Sequence, residues 1–197
     1  MPHFARSGSA AVPGHQEMIS RLSAFLRAAD AALDAWDLYS DEHTDLDGWP
    51  YGPDAYDDRK AERDQAVWAA LDPVREEADV LLEAAEADLD RIAIPSVQTR
   101  WMWQLAQLRG ALNWIEAAHE EYQEFRTAQP QADKDALQAA ADFRNAEAWH
   151  ALDTWMVHGR AVLEIHTATV RATAGPRIAA TPPSSASPAT AGHTTRR

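Results

Sequence analysis

Two Glu-x-x-His pairs carry the sharpest chemistry in this chain: Glu116-Ala-Ala-His119 and Glu147-Ala-Trp-His150. Three residues are close to one helical turn, so each pair would turn a carboxylate and an imidazole to one face. Such donors suit iron, manganese or zinc. Cysteine is absent, which removes thiolate ligands, thiol nucleophiles and disulfides. No Ser-His-Asp arrangement or glycine-rich phosphate loop stands beside them. His158, Glu164 and His166 form a weaker group, since a spacing of eight helical residues rotates the second histidine about 80° from the first. Those histidines are read as structural.

The paired motif resembles that of ferritin-like di-iron bundles, in which two further helices each add a glutamate. The resemblance covers four residues only. It would imply an oxidoreductase or storage protein with Glu116, His119, Glu147 and His150 as metal ligands. Hairpin register opposes it. If the two helices turn between 127 and 133, the motifs are offset by about 13 Å along the axis, whereas the ions of a two-metal site lie roughly 3.5–4 Å apart. The same register sets Glu116 level with Arg144. An ion pair Glu116–Arg144 is expected there, at the edge of the core, specifying alignment more than adding stability. No cofactor is expected.

Four long helices must position these residues. Ile19, Leu22, Leu26, Ala29, Leu33 and Trp36 step by three and four, with Met18, Phe25, Ala32 and Tyr39 beside them, which predicts a helix over 15–40. A second runs from near Asp54 along Val67, Leu71, Val74, Ala78, Leu81, Ala85, Leu89 and Ile92. Pro73 interrupts it, but the apolar phase does not slip, so one bent helix is expected. The third spans Val97–Arg126. The fourth runs from about Asp133 to Ala172 along Leu137, Ala141, Ala148, Leu152, Trp155 or Met156, Gly159, Val162 or Leu163, and Val170. With no strand expected, the fold is all-α: an elongated antiparallel bundle of four helices with coiled-coil-like packing. One domain covers 15–172, between a mobile arm at 1–14 and a disordered tail at 173–197. Trp-x-Ala-Leu-Asp occurs at 68–72 and 149–153, and Ala-Leu-Asp-x-Trp at 32–36 and 151–155. These echoes fit a duplicated hairpin, although shared packing demands in an alanine-rich chain explain them as well.

The connection at 41–54 is rich in acids, glycine and proline. Asp45-Leu46-Asp47-Gly48 invites comparison with a calcium loop, but the first ligand would be His43 and the twelfth Asp54, where a bidentate glutamate is usual. A rigid turn is expected, with Trp49 and Tyr51 folded back over the bundle.

The third helix has two apolar faces. Trp101, Leu105, Leu108, Leu112, Ile115, His119 and Tyr122 form a core line. Trp103, Ala106, Gly110, Trp114 and Ala117 form another, about 200° away. Either another element covers that back face, or it is a partner surface on Trp103, Ala106, Gly110 and Trp114. A net charge of −13 disfavours nucleic acid and anionic membranes. With no long apolar run, the expectation is a cytoplasmic, non-enzymatic bundle acting through a protein partner or as a homodimer.

Overall fold

A computed structural model describes residues 14–92 and 95–174, with side chains at 95–97 excepted. Nearly all of the arm and tail expected at the two ends lies outside those residues. The described chain is all-α. Its helices are α1 (His15–His43), α2 (Pro53–Arg75), α3 (Ala78–Leu89), α4 (Pro95–Ala128), α5 (Lys134–His158) and α6 (Arg160–Thr173). No described helix is long and apolar enough to cross a membrane.

The second expected helix is two. Pro73 sits inside α2, and the helix gives out after Arg75. Proline has no N–H to give the preceding turn and crowds its carbonyl, so the ladder is weakest here. The Arg21 guanidinium from α1 reaches the exposed Pro73 carbonyl at 3.4 Å and both Glu77 carboxylate oxygens at 3.0 and 3.2 Å. The break is therefore capped from outside. All eight positions of the expected apolar line, Val67 to Ile92, are nonetheless buried. The fourth expected helix also divides, with a turn at Gly159. Ala148, Leu152, Trp155, Met156 and Val162 are buried as expected, but Val170 points outward, with Ile165 and Thr169 inward instead.

At Gly159 the side chains of α1 approach closely. A methyl group there would lie 2.6 Å from the Trp155 carbonyl oxygen and 3.2 Å from Leu26 Cδ2. At the opposite connection, Asp133 caps α5 by accepting from the Ala136 N–H at 2.8 Å.

The first three helices and the last three pack in a largely reciprocal scheme. Helix α1 packs on α2 as α4 packs on α5; α1 meets α6 as α4 meets α3; α2 meets α5, and α3 meets α6. Side chains repeat the relation. Arg63 of α2 lies between the rings of Trp36 on α1 and Trp149 on α5, at 4.5 and 3.8 Å. Arg144 of α5 lies between Tyr122 on α4 and Trp68 on α2, at 4.7 and 3.9 Å. Each guanidinium also donates to the next side chain, Arg63 to Asp64 Oδ1 and Arg144 to Asn145 Oδ1. Arg63 and Arg144 are 81 residues apart, as are Trp68 and Trp149, the leading residues of one sequence echo.

Candidate functional site

The four Glu-x-x-His residues do not form one site. The Glu116 carboxylate accepts from Arg75 Nη1 at 3.1 Å through both oxygens. The expected Glu116–Arg144 pair is absent, because the planar Arg144 guanidinium is taken up between Trp68 and Tyr122. Arg75 reaches Glu116 from α2, an element that a register count along the α4–α5 hairpin leaves out. Glu147 and His150 lie exposed on α5 beside a shallow groove against α4.

His119 is a packing residue. Its ring stacks on Trp68, with centroids 5.9 Å apart and planes 15° from parallel. Gln123 Nε2 meets its Nε2 at 3.2 Å, and Nδ1 is buried without a partner. Burial, and then the neighbouring Arg75 cation, hold its pKa below the ordinary 6.5. Between 6.5 and that lower value the unfolded chain takes up a proton that the folded chain refuses, so stability falls as the pH falls through this window. Urea midpoints at pH 7 and 5.5 will show the loss. His119→Gln will flatten it, and an unchanged slope would assign the loss elsewhere.

His158, Glu164 and His166 are separated as well. Trp103 meets the His158 ring edge-on at 5.0 Å. Glu164 accepts from Arg100 at 2.5 Å and from the Trp101 indole at 2.9 Å. In the α1–α2 connection, Asp45 Oδ1 accepts from the N–H groups of Asp47 and Trp49, and Gly48 takes φ +82°. That carboxylate thus serves its own turn. Trp49 and Tyr51 do not fold back; both are exposed.

The back of α4 is open. Trp103 is 55% exposed, Trp114 73% and neighbouring Met102 63%. Ala106, Gly110 and Ala117 between and beyond them are exposed too. Neither α2 nor the 41–54 connection covers this face. A shallow groove runs along each side, one against α3 past Met102 and Arg109, the other against α5 past Trp114 and His150. Gly110 has no internal reason to be glycine, since a methyl group there would meet nothing within 4 Å.

Charge sets this face apart. From Arg91 to Ile115 the chain has no aspartate or glutamate, whereas the whole protein has 31. Arg109, on the same helix, is held by Glu86 and Asp79 of α3. The exposed middle of α4 is thus a neutral, aromatic strip on a strongly acidic body. Comparison with known protein families, characterised proteins and solved structures finds no match.

Proposed function

We propose that this is a non-enzymatic, acidic helical protein that acts by protein contact, pairing with a second copy of itself through the outer face of α4. The exposure of Trp103 and Trp114 on an acid-free strip carries the reading. Two bodies of charge −13 repel wherever carboxylates are apposed. This strip brings none of its own, so a like copy can approach there. A two-fold contact sets Gly110 against its symmetry mate, where a missing side chain lets two helices cross closely. The paired tryptophans then flank the crossing, as aromatic anchors commonly do in interfaces. In the same reading α2 with α3, and α5 with α6, are interrupted rods of an elongated antiparallel bundle with coiled-coil-like packing, working in the cytoplasm. The ferritin-like alternative draws no support from the positions of Glu116, His119, Glu147 and His150.

Sedimentation or light scattering tests the pairing. The parent chain is expected to be dimeric at tens of micromolar, within the usual span of modest protein affinities. Trp103→Glu/Trp114→Glu should be monomeric with an unchanged helical spectrum, since both side chains are exposed. A parent that stays monomeric near 100 µM, or a variant that still dimerises, sinks the proposal.

A further inference from the structure

Three residues distant in sequence converge where α1, α3 and α6 meet. His15 Nε2 of α1 and His166 Nδ1 of α6 lie 3.2 Å apart. A carboxylate oxygen of Asp88, on α3, completes a group whose three ligand atoms all lie within 4.8 Å of one another. The two rings are tilted by 59° with centroids 4.9 Å apart, so they converge at their nitrogens and do not stack. Asp88 is buried to 9% exposure, an unusual place for a carboxylate, and Arg91 grips its Oδ1 at 2.5 Å. Among the described residues no other set of three or more such side chains is gathered this closely.

We propose that His15, Asp88 and His166 bind one divalent ion of the zinc class, tying the start of α1 to α3 and α6. Two imidazole nitrogens and one carboxylate oxygen match the donors that zinc takes. Tetrahedral zinc with bonds of about 2.0–2.1 Å holds its donor atoms roughly 3.3 Å apart, close to the observed nitrogen separation. A hydrogen bond between the imidazoles would satisfy the histidines alone. It would not explain why a buried carboxylate converges on them. Arg91, whose side chain is 63% exposed, orients that carboxylate from the solvent side, as outer partners of ligating carboxylates do. Three protein ligands leave a fourth position for water. The role that follows is structural: the ion joins three helices at one place and stabilises the folded chain by mass action.

The test is calorimetric titration of the untagged full chain with Zn2+ after dialysis against chelator. One ion per chain is expected, with an accompanying rise in melting temperature. His15→Ala and Asp88→Asn should each weaken binding by about 100-fold, while His119→Ala/His150→Ala leaves it unchanged. His15 is the first residue of α1 and half-buried, so its truncation keeps the helix and still removes a ligand. Co2+ in place of Zn2+ should give the visible bands of a tetrahedral site, lost in His15→Ala. The absence of saturable binding below about 100 µM, or binding and colour that survive His15→Ala and Asp88→Asn, overturns the proposal.

Discussion

Replacing Arg63 with alanine is expected to destabilise the fold by about 3–5 kcal/mol, the usual cost of leaving a buried charge without its partner. The Arg63 guanidinium donates through Nε and Nη2 to Asp64 Oδ1 at 2.8 and 2.5 Å, and Asp64 is only 4% exposed. The same cation fills the space between Trp36 and Trp149, where desolvated cation–ring contacts contribute on the order of 2 kcal/mol. Alanine removes the counter-charge, the hydrogen bonds and the filler together. Arg63→Met/Asp64→Leu should be much milder, because it removes both charges and keeps the volume. Acidity supplies an independent check. Burial pushes the Asp64 carboxyl up, against the pull of its Arg63 hydrogen bond. Without Arg63 the upward push is opposed only by the weaker pull of the Lys60 charge. A carboxyl raised in the folded state contributes its full stability below its unfolded value, about 3.9, and loses it as the pH rises through the folded value. The deficit of Arg63→Ala should therefore be largest at neutral pH and shrink toward pH 4.5. Urea denaturation at both pH values measures it, and an equal deficit at the two would reject this account of Asp64.

Gly159→Ala and Gly110→Ala should move stability in opposite directions. Both glycines lie in helical backbone, and alanine is the better helix former by about 1 kcal/mol. At Gly110 nothing within 4 Å offsets that gain. At Gly159 the new methyl group meets the Trp155 carbonyl oxygen at 2.6 Å, and α1 stands behind it at Leu26 and Leu22. Relieving that contact means moving backbone or the buried Leu22 and Leu26, so a net loss of roughly 1–3 kcal/mol is expected. Thermal unfolding in the Trp103→Glu/Trp114→Glu background compares the two without interference from self-association. Changes of the same sign would mean that the α5–α6 turn is not held by the approach of α1.

Periodicity is legible wherever burial alone decides the residue. The line from Val67 to Ile92 keeps its phase through Pro73, because the core selects apolar residues at each turn whether or not the backbone ladder is continuous. The core face of α4 is legible for the same reason, whereas its back face is legible as a departure from it, with Trp103 and Trp114 exposed. Breaks are harder to read: Pro73 marks weakness in a helix but not the residue where it yields, and Gly159 in isolation resembles any small core residue. The arginine sandwiches were hidden. A guanidinium reads as surface until its aromatic neighbours are in place, and those come from different helices. The pairing of Glu116 with Arg75 is not legible along the α4–α5 hairpin, because Arg75 reaches across from α2. His15, Asp88 and His166 share no motif, so only the folded chain brings them together.

The reciprocal arginine sandwiches bear on how the chain is assembled. Each half keeps its guanidinium on one helix and lends a tryptophan to the other half, so neither completes its interior alone. The backbone link between Ile92 and Pro95 then serves mainly to hold the halves at a high effective concentration, on the order of millimolar for a short tether. In the monomeric Trp103→Glu/Trp114→Glu background, cutting that link would turn a folding reaction independent of concentration into an association whose midpoint depends on it. In those terms the protein resembles a fused pair of unlike subunits.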